Sequence, residues 1–244
     1  MGSEVLSKKS RTGVIKIGPD WCEKKLDRGR DFDAEIRSVK KLVKLFGEGV
    51  VYDGWKYQSV RVLQVDQANR SIIMTRARGD PLTVTPSAEN AFLAGVWLSR
   101  FHDAGPVKSR CPLFGDFGPS HLFIDWEGRT VTAIDPGAQC GKSEYPEVDV
   151  GYMLSCLVLL GLKRRTSPIR LGRSFLKGYF SPGPAALDRA RLMEAIKAER
   201  MQTYRRWVRK RDGWRSIVLG VLARAYWAVN RLCVSAIIWD LRRG

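Results

Sequence analysis

The spacing of apolar residues along this chain changes period several times, and each change marks an element. Side chains alternate through Val14-Ile15-Lys16-Ile17, which with Glu4 to Lys8 and a polar turn at Ser10 to Gly13 predicts a hairpin over residues 4–18. Ile36, Val39, Leu42 or Val43, and Phe46 then recur every three or four residues, predicting a helix that opens at Asp33 and ends at Gly47. Tyr57 to Val65 and Ser71 to Thr75 are strand-like runs joined by Asp66-Gln67-Ala68-Asn69-Arg70, which is turn chemistry. After the breakers of Arg76 to Leu82, Ser87 is an N-cap for a helix from about Ala88 to His102, with Phe92, Val96, Leu98 and Phe101 on its apolar face. His121 to Asp125 and Thr130 to Ile134 predict a second hairpin, turning at Trp126-Glu127-Gly128-Arg129. The rest reads as helix: an apolar run from Val148 to Leu162, a charged helix over Arg189 to Arg211 broken by Gly213, and a mostly apolar one from Trp214 to about Leu241.

Composition narrows the class. At 244 residues and 44% hydrophobic, the chain can bury one large core or two lobes. Its net charge of +17 draws it toward anionic partners, among them phosphorylated glycans, acidic lipid headgroups, nucleotides and nucleic acid. No zinc-finger, helix-turn-helix or aromatic recognition motif favours nucleic acid. Five scattered cysteines without a Cys-x-x-Cys pair indicate neither a zinc site nor a disulfide framework and fit a reducing compartment. The opening MGSEVLSKKSRTG lacks the apolar core of a signal peptide, so a cytoplasmic position is expected. The run from Met153 is too short to cross a bilayer, and Arg224 and Arg231 argue against a crossing by the last helix. That helix either packs on the body of the protein or lies in a membrane interface, with Trp214, Trp227 and Trp239 as anchors and the basic end Arg205 to Arg211 beside it.

The chemistry gathers around the second hairpin. An antiparallel pair brings its outer ends together, so Asp116, before the first strand, and Asp135, just after the second, share one mouth. Two carboxylates there are costly unless a cation sits between them, and Mg²⁺ is the usual one. The competing reading is a plain hairpin flanked by turn aspartates. Lys16 lies in a short apolar strand and needs a partner, unless it simply faces solvent on an edge; Glu35 opens the following helix.

Gly115-Asp116, Pro119, the hairpin and Ile134-Asp135 resemble the catalytic and metal-binding loops of aminoglycoside-phosphotransferase-like kinases. That branch of the protein-kinase-like superfamily includes choline kinases and kinases of lipopolysaccharide core sugars. Leu98 to Gly105 is similar to the Leu-x-x-Leu-His-x-x-Gly helix end that precedes the catalytic loop in that branch, and Asp149 to the aspartate of its Asp-Leu-Ala segment. The resemblance implies that Asp116 orients the attacking hydroxyl, Asp135 holds the metal, Lys16 grips the nucleotide phosphates and Glu35 orients Lys16. It implies supporting roles for His102, at the end of its helix, and for Asp149, bracing the catalytic loop or capping a helix. Two positions depart from the pattern: Phe114 stands where a histidine is usual, and His121 where an asparagine helps to hold magnesium. With fifteen residues before Lys16, the first strand and the glycine-rich phosphate loop are missing or short.

The expected architecture is therefore an α+β, two-lobed protein-kinase-like fold, with a small antiparallel-sheet N-lobe over residues 1–78 and a mainly helical C-lobe over 79–244. The expected activity is transfer of phosphate from ATP, with Mg²⁺, to a hydroxyl. The basic charge favours an anionic or lipid-linked sugar acceptor and opposes a polycationic aminoglycoside. A non-catalytic pseudokinase and, further off, a nucleic-acid-binding protein are the alternatives.

Overall fold

In a computed structural model the chain is described at residues 6–10, 13–29, 31–105, 110–183, 187–208 and 214–240. Glu4, the tip of the first turn, the Arg209 to Arg211 cluster and Gly213 lie outside the described residues, as do the side chains of Arg205, Arg206, Trp214 and Arg224.

The chain opens with β1 (Leu6–Ser10), β2 (Gly13–Ile17) and β3 (Trp21–Leu26), followed by α1 (Phe32–Phe46). Next come β4 (Val50–Tyr52), β5 (Trp55–Ser59), β6 (Val62–Asp66), β7 (Ser71–Thr75) and the short β8 (Asp80–Pro81). After α2 (Ala88–Asp103) and β9 (Cys111–Pro112), a single 3-10 turn (Pro119–His121) leads into β10 (Leu122–Asp125) and β11 (Thr130–Ala133). The short β12 (Ser143–Glu144) precedes α3 (Glu147–Arg164), α4 (Pro168–Phe180), α5 (Arg189–Val208) and α6 (Trp214–Asp240).

Two five-stranded sheets result. The first is antiparallel in the order β1-β2-β3-β7-β6, and the second runs β4-β5-β11-β10-β8 with β5 parallel to β11. The expected single strand over Tyr57 to Val65 is thus two strands in different sheets. Val60 is buried between them, and its N–H bonds the Ala133 carbonyl at 3.2 Å. Residues 50–60, inside the stretch expected as the N-lobe, are consequently built onto the hairpin that ends at Asp135. The strand β3, absent from the expectations above, reads Trp-Cys-Glu-Lys-Lys-Leu, too polar for its sequence to announce it.

Helix α1 starts one residue before the expected position because Asp31 caps it, accepting the Ala34 N–H at 2.9 Å. Its apolar stripe serves two cores. Phe32 and Ile36 pack with Leu26 and Ile72 beneath the first sheet, while Leu42 and Phe46 join the larger core. In that core Trp97 stacks on Phe101 and Phe117, with ring centroids 5.3 and 5.2 Å apart, and meets Phe114 edge-on at 5.6 Å. Such aromatic pairs add roughly 0.5–1.5 kcal/mol each beyond burial. Phe114, where a histidine was the usual residue, is fully buried among these rings, so the loop after it is anchored by packing.

Candidate active site

A buried lysine lies at the centre of the site, and it is Lys24. Along β3, Cys22, Lys24 and Leu26 share the face toward α1, while Glu23 and Lys25 point the other way. Lys24 is 7% exposed; its ammonium meets Glu35 of α1 at 2.5 Å and also the Asp135 carboxylate. Lys16, the lysine singled out for this place, lies on the opposite face: it is half-exposed and pairs with its cross-strand neighbour Glu23 at 3.4 Å. The correction also changes the count of strands. β1 and β2 both precede the strand that carries Lys24, so the first strand is present.

Burial would lower the Lys24 pKa, but Asp135 and then Glu35 outweigh it and hold the ammonium above the ordinary lysine value. Burial likewise pushes the Asp135 carboxyl up, yet Lys24 and then His121 bring it below the usual carboxylate range. For Glu35 burial prevails over Lys24, and its carboxyl is raised. One ammonium between two carboxylates leaves a net negative charge, which suits a cation at the more exposed Asp135.

Asp135 sits just past β11 with φ 57°, a left-handed conformation that an aspartate adopts at some cost and that its surroundings must hold. The loop is pinned two residues on. The Gly137 N–H bonds the Phe114 carbonyl at 3.0 Å, and a Cβ on Gly137 would stand 2.7 Å from the Gly115 carbonyl carbon. Only glycine lets the two loops approach so closely. His121 joins them a second time: its Nδ1 is 2.8 Å from the Asp116 carbonyl oxygen and its Nε2 is 3.9 Å from Asp135 Oδ2. Since the carbonyl can only accept, Nδ1 carries a proton, and Nε2 is the ring nitrogen turned toward Asp135. A carboxylate and an imidazole so oriented are a donor set able to hold a divalent cation together with phosphate oxygens.

Asp116 lies half-buried on the loop between β9 and β10. Burial first, then Cys156 and the nearby Asp116 carboxylate, push the Tyr152 phenol far above its ordinary range, so it stays protonated beside Asp116. Behind the loop, Asp149 is 1% exposed and accepts the N–H groups of Phe114 at 2.7 Å and Gly115 at 2.9 Å. It also takes His102 Nε2 at 3.3 Å, while His102 Nδ1 meets the Tyr179 hydroxyl at 2.9 Å. His102 therefore binds side chains through both ring nitrogens, and not the carbonyls at its own helix end. Asp149 lies inside the first turn of α3; the capping position itself is Pro146.

Glu35, Lys24, Asp135 and His121 are thus linked by successive contacts that reach the Asp116 backbone, with Asp149 and His102 behind the loop that carries Asp116 and Lys16 outside. Lys24 and Tyr152 are the residues that sequence reasoning missed. Spacing could have found Lys24, which stands two residues before the end of a strand leading into α1, and nothing local marked Tyr152.

No protein-family model matches the sequence, and comparison with curated proteins finds no match. Comparison with solved structures does. A choline/ethanolamine kinase family protein from Mesorhizobium loti superposes with a TM-score of 0.62 at 11% identity, covering 96% of this chain and 92% of that one. The chain has the protein-kinase-like fold. An aminoglycoside-3'-phosphotransferase of type VIII gives 0.61 at 13% identity, over 82% of this chain and 93% of its own. An amicoumacin kinase solved in complex with AMP-PNP, Ca²⁺ and Ami gives 0.62 at 11% identity, over 93% and 88%. The two-lobed α+β architecture expected from the sequence is the one these kinase-like structures share.

Proposed function

We propose that this chain is an ATP-dependent phosphotransferase that moves the γ-phosphoryl group to a hydroxyl of a small-molecule, sugar or lipid-linked glycan acceptor. The observation that carries the reading is Lys24, buried between Glu35 and Asp135 at the mouth that also holds Asp116. A buried ammonium held charged and fixed by a helix glutamate is a preformed cation for nucleotide phosphates. Asp116, on the loop whose N–H groups Asp149 accepts, takes the hydrogen bond of the acceptor hydroxyl and orients it for in-line attack. Asp135 would hold a divalent cation, Mg²⁺ in this reading, with His121 beside it as the softer and poorer donor for that ion; when bound, the cation would neutralise phosphate charge. Neighbours bound to AMP-PNP with Ca²⁺ and to ADP support nucleotide and divalent-metal use.

For the acceptor, the +17 charge favours an anionic or membrane-associated sugar, and in this reading the protein works in the cytoplasm, at the inner face of a membrane where the acceptor is lipid-linked. A nucleotide-binding module without turnover is the second reading, favoured by His121 at the asparagine position.

Thermal unfolding with ATP and Mg²⁺ tests the nucleotide site. Ligand at 100 times its Kd adds about 2.7 kcal/mol, which for a chain of this size raises the melting temperature by roughly 5–10 °C. Wild type should show the shift and Asp135→Ala should lose its metal-dependent part. No shift in wild type overturns nucleotide binding; a shift without phosphate transfer to any hydroxyl acceptor leaves the binding module.

A further inference from the structure

The far side of the helical lobe combines two properties that seldom coincide on a soluble surface. One is an apolar stripe. On α6, Val229, Leu232 and Trp239 recur at i, i+3 and i+10, within about 80° of arc on a helix of 3.6 residues per turn. They are exposed to 37%, 71% and 54%, while Val234, Ile237 and Ile238 on the opposite side of the helix are buried. On α3, Leu159 and Leu162 are also exposed, on the helix face that carries Ser155, whose carbonyl accepts the Tyr226 hydroxyl of α6 at 3.0 Å. Exposed leucines on two helices in contact, together with an exposed tryptophan, are apolar surface that water solvates poorly.

The other property is charge of one sign. Residues 150–187, spanning α3 and α4, contain six lysines and arginines and no aspartate or glutamate, and residues 214–239 contain three arginines and no carboxylate. Lys163, Arg164 and Arg165 are exposed at the end of α3, one turn from Leu162. Apolar side chains bordered by cations match an anionic lipid surface, where the headgroups meet the cations and the acyl boundary takes the leucines and the indole. Two copies of this face would set like charge against like, and nucleic acid offers nothing to Leu232 or Leu162. No described helix is long and apolar enough to cross a membrane, so the contact is one of lying on the surface.

We propose that the α3–α6 face docks the protein on an anionic bilayer. This gives a specific surface to the membrane association proposed above, yet it does not depend on phosphoryl transfer, because the face is separate from Lys24 and Asp116.

The test is co-sedimentation of the full chain with vesicles of phosphatidylcholine alone or mixed with phosphatidylglycerol, at about 0.1 M salt and again near 1 M, where screening collapses to about 3 Å. Binding only to the mixed vesicles and only at the lower salt is expected. Replacing Lys163, Arg164 and Arg165 together by Gln should weaken it about 100-fold, at roughly 1 kcal/mol per cation near the surface. The double variant Leu162→Asp with Leu232→Asp should abolish it. These side chains are exposed, so the urea unfolding midpoint of both variants serves as the folding control and should equal that of wild type. Absence of binding to mixed vesicles overturns the proposal. Undiminished binding by the Asp variant overturns it too, as does a dimer in solution that this variant dissociates while vesicles bind neither form.

Discussion

Two lysines compete for one role, and their surroundings separate them. The Lys16 ammonium pairs with Glu23 on the outer face of the sheet, an exposed ion pair of the kind worth roughly 0–1 kcal/mol. Lys24 is buried and shared by Glu35 and Asp135, so removing it leaves two carboxylates facing each other with no cation. Breaking one partner of such a buried group costs about 3–5 kcal/mol. Lys24→Met should therefore lower stability by that order and abolish the ATP-dependent thermal shift. Lys16→Met should change stability by no more than about 0.5 kcal/mol and leave the shift in place. Urea titrations of both variants, paired with nucleotide-binding measurements, decide it; a Lys16→Met variant that loses nucleotide while Lys24→Met keeps it would reverse the assignment.

At the scale of elements, the loop that carries Asp116 has little regular structure of its own and takes its shape from what grips it. Asp149 on α3 accepts two of its N–H groups, Phe114 is sunk among Trp97, Phe101 and Phe117, and Gly137 lies against its backbone. Asp149→Asn keeps the volume but loses the charge and one acceptor oxygen, leaving a buried N–H unpaired. The expected cost is about 3 kcal/mol, seen as a lower urea midpoint with an unchanged slope, together with loss of phosphate transfer; unaltered transfer would show that the loop holds itself. Amphipathic helices and the β10–β11 hairpin were legible in the sequence because their signals are local: a stripe every three or four residues, a capping serine at 87, a glycine turn at 128. Strand β3 was not, because Glu23-Lys24-Lys25 looks like a polar loop until one knows that Asp135, 111 positions away, supplies the charge that lets Lys24 be buried. The division of Tyr57 to Val65 was hidden for the same reason. A continuous β-prone run carries no mark of the point where its two halves join different sheets.

Across the whole molecule, the two sheets are joined in two ways. One is covalent and hydrogen-bonded: residues 50–60 leave the first lobe to pair with β11 and return, so the strand that delivers Asp135 is braced from both sides. The other is the Lys24 bridge, and unlike the first it titrates. Asp135 has a folded pKa below its unfolded one, so the stability it contributes is complete above the ordinary carboxylate range, about pH 4, and is lost as pH falls through the depressed value. Lys24 has a folded pKa above its unfolded one, so its contribution is complete below about pH 10 and is lost as pH rises through the raised value. Glu35 runs the other way: its raised carboxyl makes ionisation unfavourable at neutral pH, a cost relieved in acid. The gap in urea midpoint between wild type and Lys24→Met should then be widest near neutrality and narrow toward both about pH 3 and about pH 11. In acid the variant's two carboxylates no longer need a cation, and in alkali wild type no longer has one to offer. A gap that stays constant across that range would mean that Lys24 stabilises the lobes by packing alone, and that the charge at the mouth of the cleft plays no part in holding it closed.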